Sequence, residues 1–229
     1  MWIRSVFFGL TLLVIAGCEE TLPPQDDSIG FNFFPLQTGQ FRAYQVEQID
    51  FSLITSDTSS FQLREVVVDS FLNAESDYTF ILHREIRQND SEEWELDSVW
   101  STRRTSALAV VTENNIPIIK LVFPVEDGVR WDSNGFSSKD EQLFRYENSF
   151  TPFDLEDTTF NRTVTVIESD LEDNLIMQDE RIQVYAEGVG LVHRDYIILN
   201  FCAREDCLGE GIIESGRVQR YDLIDHGIL

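Results

Sequence analysis

Apolar residues recur mainly at every second position along the chain from Phe33 onward. The clearest runs are Tyr78, Phe80, Leu82 and Ile86; Trp94, Leu96 and Trp100; Phe61, Leu63, Val67 and Phe71; and Phe160, Val164 and Val166. A period of two is the pattern of a β-strand with one buried face. The alternation therefore predicts a succession of strands.

Residues that favour tight turns separate these runs. Asn114-Asn115, Asp127-Gly128 and Asn134-Gly135 each stand where a hairpin would close. Neighbouring antiparallel strands with short connections predict an all-β fold, a curled meander sheet that forms a half-barrel or an up-and-down barrel, with at most one or two short helices. The alternation changes phase between Val46 and Ile49, which predicts a β-bulge that curls the sheet.

Residues 174–187 fit two patterns. Leu175 and Ile182 are compatible with helical spacing, whereas Ile182, Val184 and Ala186 also alternate as in a strand. Both interpretations stay open on the sequence.

The first residues of the chain have the pattern of a bacterial lipoprotein export signal. A single positive charge, Arg4, precedes an apolar run that ends in Ile15-Ala16-Gly17-Cys18 and is followed by two glutamates. The run is shorter than the roughly 20 apolar residues that a membrane-spanning helix needs. We therefore predict that residues 1–17 are a signal peptide and that Cys18 is lipidated. An ordinary cleaved signal peptide is the alternative.

The rest of the chain divides into a tether and one domain. Residues 18–32 are polar and contain prolines, a composition that favours a flexible linker. Residues 33–229 contain no further linker rich in Pro, Gly or Ser, and their number suffices for one sizeable core. We predict a single β-rich domain over residues 33–229.

The charge of the chain excludes some partners. It has 17 basic and 41 acidic residues and a net charge of −24. This charge repels phosphate backbones and anionic headgroups, so neither nucleic-acid binding nor a basic membrane-docking face is expected. The membrane is a predicted partner only through the lipid on Cys18.

Two further cysteines, Cys202 and Cys207, lie close together near the C-terminus. In the oxidising cell envelope such a pair is expected to form a disulfide that shapes a small loop. A metal site, the alternative, would need further ligands, of which only His193 is near in sequence.

Three short motifs resemble a family of Bacteroidota-type outer-membrane lipoproteins. They are Phe33-Phe34-Pro35-Leu36 with Gly39, Phe41 and Tyr44; Phe123-Pro124 with Gly128, Trp131-Asp132 and Asn134; and the stretch from Tyr185 to Val192. The resemblance implies an outer-membrane, lipid-anchored protein with a β-rich domain and implies no particular activity. It leaves open whether the protein faces the periplasm or the cell surface.

No catalytic constellation is recognisable. His83, His193 and His226 have no spacing that would place two ligands on one face, and nucleophile-elbow, Walker and dinucleotide motifs are absent from the sequence. The acidic clusters around Asp154 and Glu168 could bind calcium but lack the spacing of a known loop. We therefore expect neither an enzyme nor a cofactor.

Two functions remain as hypotheses. The first is a binding module for a lipid, a lipoprotein or a glycan, which predicts a sizeable apolar cavity or groove. The alternative is an accessory protein of an outer-membrane assembly, which predicts a filled interior and an exposed apolar patch that contacts an envelope protein. A hydrolase would need clustered histidines or carboxylates in a cleft.

Overall fold

The computed structural model describes residues 26–74 and 77–229, which form one antiparallel sheet of twelve strands. The strands are β1 (Gln40–Phe51), β2 (Ser56–Leu72), β3 (Tyr78–Arg87), β4 (Glu95–Arg104), β5 (Leu108–Glu113), β6 (Ile116–Val122), β7 (Arg130–Asp132), β8 (Leu143–Leu155), β9 (Thr158–Asn174), β10 (Met177–Ala186), β11 (Gly190–Phe201) and β12 (Ile213–Ile228). A short helix α1 (Asp26–Ile29) and a 3₁₀ helix (Phe31–Phe33) precede them. The predicted all-β meander is confirmed.

The strand order is β6-β5-β4-β3-β2-β1-β12-β11-β10-β9-β8-β7. Two meanders, β1 to β6 and β7 to β12, are thus joined where β1 pairs with β12, from Gln40 opposite Ile228 to Phe51 opposite Gly216. The two edges of the sheet, β6 and β7, approach each other, and the amide of Ile119 donates a 2.9 Å hydrogen bond to the carbonyl of Ser133. The sheet is therefore nearly closed into a barrel.

Bulges bend the strands toward closure. The register of β1 against β12 shifts between Ala43 and Tyr44, three residues before the predicted phase change begins. Further shifts occur in β2, β3 and β10, at Val67/Asp69, Arg84/Glu85 and Val184/Tyr185. Because each bulge increases local twist, the long strands coil around a common interior.

Residues 174–187 contain the end of β9, a turn and the whole of β10, so the helical interpretation is wrong for this segment. β9 ends at Asn174 and β10 begins at Met177 after a two-residue turn. The alternation of Ile182, Val184 and Ala186 was the correct signal, because pairing with two neighbouring strands outweighs a weak helical period.

The segment that precedes β1 packs across one end of the barrel. Phe33 and Phe34 are buried, and the carbonyl oxygens of Ile29 and Asn32 accept hydrogen bonds from Val125 and Gly188. Residues 29–32, which the sequence predicts to be the end of the tether, therefore lie against the barrel.

Apolar side chains fill the interior beside this segment. The largest cluster joins Phe33 and Phe34 to side chains of β5, β6, β8 and β9, including Val110, Leu121 and Tyr146. A second cluster contains Tyr44, Val46, Leu63 and Tyr221. Among the described residues, no helix is long and apolar enough to cross a membrane.

Candidate functional site

Charged side chains also lie in the barrel interior. They line a small cavity of about 50 Å³, the inner chamber, whose polar and aromatic lining residues are Arg42, Glu65, Arg84, Trp100, Thr102, Glu113, Lys120, Gln183, Tyr185, Arg194 and Tyr221. A larger cavity of about 620 Å³, the outer cleft, lies beside it and is bounded by Ser138–Gln142 of the loop between β7 and β8. Glu113, Lys120 and Arg194 line both cavities, so they form the junction between them.

Glu65 on β2 is the centre of one charged group in the chamber. Its two carboxylate oxygens lie 3.3 Å from Nη2 of Arg42 and 3.5 Å from Nε of Arg84. Gly190 has a φ of +97°, and a Cβ there would lie 2.4 Å from Nη1 of Arg42. The backbone conformation therefore favours a glycine at this position, and any side chain there would also displace the guanidinium of Arg42.

Glu113 and Lys120 form a second pair, on the adjacent strands β5 and β6. Nζ of Lys120 lies 2.9 Å from Oε1 of Glu113. Burial raises the pKa of Glu113, but the charges of Lys120, Arg194 and Arg84 outweigh burial and hold that pKa below its ordinary value. Glu113 is therefore ionised at neutral pH.

Arg194 has a different environment from the other chamber cations. Its guanidinium lies 3.8 Å from the ring centre of Tyr196 and 4.8 Å from that of Tyr221. Within the described residues its side chain makes neither an ion pair nor a hydrogen bond. Burial lowers the pKa of Arg194, but Tyr196, Tyr221, Glu168 and Glu113 together raise it above its ordinary value, so the side chain is charged.

A relay of hydrogen bonds connects the chamber to the cleft. The hydroxyl of Tyr185 donates to Oε1 of Gln183, whose Nε2 donates at 2.8 Å to the hydroxyl of Tyr196. Tyr196 in turn donates to Oε2 of Glu168, and burial raises the pKa of Tyr196 well above its ordinary value, which keeps it a donor. Oε1 of Glu168 is buried without a hydrogen-bond partner in the described chain, so it is an available acceptor at the cleft.

The residues predicted as sites from the sequence lie elsewhere. Cys18 and the export signal are outside the described residues. Cys202 and Cys207 lie between β11 and β12 with their sulfur atoms at disulfide distance and their Cα atoms 5.8 Å apart. With Asp206 they are a possible group of metal ligands, but a disulfide removes the thiolates that a metal would bind.

The histidines and the acidic clusters do not assemble a second site. None of the three histidines lines the chamber or the cleft, and Nδ1 of His193 lies 2.6 Å from Oδ1 of Asp222. Glu168 is buried at the cleft, whereas Asp170 is exposed and pairs with Arg145 at 2.9 Å. The structure thus separates these two carboxylates of the sequence cluster.

The chamber residues were missed from the sequence, although a signal for them exists. Glu65 lies between Leu63 and Val67, and Arg84 lies between Leu82 and Ile86, at positions of the same parity as these apolar neighbours. A charged residue at an inward position of a strand is rare unless it is paired or functional. The interruptions of the alternation were therefore as informative as the alternation itself.

No protein-family model matches the sequence, and no curated protein matches it either. One solved structure is similar, that of a protein from Parabacteroides distasonis whose name provisionally calls it a lipoprotein. The two chains are 10% identical, the match covers 85% of this chain and 98% of the other, and the TM-score is 0.40. A structural similarity this weak gives no information about the function of this chain.

Proposed function

We propose that the protein is a lipid-anchored protein of the bacterial outer membrane whose barrel is a non-catalytic binding module for a polar ligand of the glycan class. The observation that carries this proposal is the outer cleft, an open polar cavity of about 620 Å³ that leads to a charged chamber. Such a concave site with a few convergent polar groups is the usual form of a ligand pocket.

The chemistry of the cleft favours a glycan over a lipid chain. An acyl chain would need an apolar cavity, but the apolar part of this barrel is filled by the cluster around Phe33, Phe34 and Tyr146. The cleft instead offers acceptors such as Glu168 and donors such as Lys120 and Arg194. Sugar hydroxyls both donate and accept hydrogen bonds, so they can satisfy both kinds of group.

The anchor rests on the sequence around Cys18. An apolar run that ends in Ala16-Gly17-Cys18 supports lipidation, and several acyl chains at about 0.8 kcal/mol per buried CH₂ would hold the barrel at a membrane. The alternative role, an accessory in an outer-membrane assembly, predicts a filled interior, and the open cleft counts against it.

Native mass spectrometry of the full-length protein, extracted from its envelope in mild detergent, tests the proposal. We expect an additional mass of sugar units that disappears on denaturation, and we expect Glu168→Ala to lose it while the exposed-site control Glu210→Ala keeps it. A bare protein that also shows no saturable binding in titrations with envelope oligosaccharides would overturn the binding function.

A further inference from the structure

The inner chamber carries an excess of positive charge. Its lining contains four cations, Arg42, Arg84, Lys120 and Arg194, and two carboxylates, Glu65 and Glu113. The side chains of Arg42, Lys120 and Arg84 are only 10%, 11% and 12% exposed. Arg42 and Arg84 are paired with Glu65, and Lys120 with Glu113, so Arg194 is the chamber cation without an ion pair in the described chain, and a buried charge of this kind favours an anionic ligand.

Unused hydrogen-bond donors surround the same space. The buried Nε atoms of Arg42 and Arg194 and the indole Nε1 of Trp100 have no hydrogen-bond partner within the described chain, whereas Nε of Arg84 lies 3.5 Å from a carboxylate oxygen of Glu65. Arg42, Arg194 and Trp100 all line the chamber. Because buried polar groups are nearly always hydrogen-bonded, three unused donors on one small cavity indicate a ligand with several acceptor atoms.

Aromatic rings position two of these guanidinium groups. That of Arg84 lies 4.0 Å from the ring centre of Trp100, and that of Arg194 lies 3.8 Å from the ring centre of Tyr196. Stacking restrains the planar guanidinium group of an arginine, so this side chain loses little conformational entropy when it binds an oxyanion. The donors are therefore arranged before a ligand arrives.

The size of the chamber limits what can enter it. A volume of about 50 Å³ accommodates about three to four water-sized groups, which matches the oxygens of a carboxylate or a phosphate but not a sugar ring. A ring would remain in the outer cleft, on the other side of the junction formed by Glu113, Lys120 and Arg194.

From these observations we infer that the ligand is anionic, and that Arg42, Arg84 and Arg194 bind its carboxylate or phosphate group in the inner chamber while the rest of the ligand occupies the outer cleft. This inference rests on the proposed binding function and specifies its ligand as an acidic saccharide or a phosphorylated one. Arginine is suited to the role because its planar fork matches both oxyanions.

Calorimetric titration of the full-length protein in detergent tests the inference with matched probes. Galacturonate and galactose differ only at C6, which is a carboxylate in the first and a CH₂OH group in the second, and inorganic phosphate represents the phosphate group by itself. We expect galacturonate or phosphate to bind at least tenfold more tightly than galactose. Binding of galacturonate would indicate that the ligand is an acidic sugar, and binding of phosphate would indicate that it is a phosphorylated one.

Variants distinguish anion binding in the inner chamber from a general electrostatic attraction to the protein. Arg194→Gln should weaken anion binding at least tenfold, and Arg84→Met should do the same. The control Arg217→Gln removes an exposed arginine that pairs with Asp50 on the outside of the barrel, and it should leave binding unchanged. Arg194→Gln keeps a polar side chain at the junction, so it provides the measurement if Arg84→Met fails to fold.

Two results would overturn the inference. Equal affinities for galactose, galacturonate and phosphate, unaffected by Arg194→Gln, would show that the acidic group is not recognised while leaving the glycan-binding function intact. A failure of both anions to bind at millimolar concentration would also reject an anion site, and native mass spectrometry would still decide the binding function independently.

Discussion

The indole nitrogen of Trp131 donates a 2.9 Å hydrogen bond to the carbonyl oxygen of Ile119, across the seam between the two edge strands of the sheet. The amide of Ile119 is satisfied across the same seam by the carbonyl of Ser133. Nearby, the hydroxyl of Tyr146 both donates to the carbonyl of Val122 and accepts from its amide, each at 2.8 Å. Side chains thus complete the pairing where the backbone ladder stops, and they protect an edge that would otherwise expose unpaired backbone groups.

Replacing Trp131 with Phe should therefore weaken the seam without removing its aromatic packing. The phenyl ring can still contact Phe144 and Tyr146, but the buried carbonyl of Ile119 loses its donor. We expect the free energy of unfolding to fall by about 1–3 kcal/mol, measured by urea denaturation. Trp94→Phe is the control, because the ring of Trp94 contacts the guanidinium groups of Arg64 and Arg87 and not the seam. A loss no larger than that of the control would contradict a role for the indole N–H.

The strands could be predicted from sequence, but the pairing that joins the two meanders could not. Asn114 and Asn115 both adopt positive φ, as a tight hairpin requires, and their residue type indicated this directly. The pairing of β1 with β12 joins residues that are far apart in sequence. Nothing in the local pattern of either strand selects that partner, because alternation specifies a buried face and not a neighbour.

Glu113 should contribute to acid sensitivity. Its pKa is lower in the folded state than in the unfolded chain, so its contribution to stability is complete above the unfolded pKa and is lost as the pH falls through the folded pKa. Below a pH of about 4.5, the ordinary range for a glutamate, wild-type protein should lose stability faster than Glu113→Gln. Thermal unfolding between pH 6 and pH 3 tests this. Parallel pH profiles of the two proteins would contradict it.

Which residues line the inner chamber depends on the register of strand pairing, and the sequence does not reveal this register. Arg42, Glu65 and Arg84 lie on three adjacent strands, and each is separated from the next by about twenty residues. They meet because Arg42 pairs with Glu65 and Glu65 with Arg84 in the ladders of β1, β2 and β3. A shift of one residue in either pairing would alter which side chains face each other across the strands. Arg194 lies on β11 of the other meander, which joins the first through the pairing of β1 with β12.

Replacing Cys202 and Cys207 together with Ser should destabilise the protein moderately. The disulfide closes a loop with a sequence separation of 5, and the chain-entropy estimate for so short a loop is about 2 kcal/mol. We expect a lower Tm with anion binding unchanged, because neither cysteine lines the chamber or the cleft. Free thiols in the non-reduced native protein would show that the disulfide does not form.

Replacing Cys18 with Ser should release the protein from membranes without changing the fold. The core clusters of the barrel consist of residues from Phe33 onward, so we expect the Tm of Cys18→Ser to match that of wild type. The net charge of −24 provides no electrostatic attraction to anionic lipids, so the lipid is the only predicted anchor. Fractionation followed by a salt and carbonate wash measures the release, with Thr21→Ala as a control that should remain in the membrane fraction. A Cys18→Ser variant that stays membrane-bound would reject the lipid anchor and would require a membrane contact made by the barrel itself.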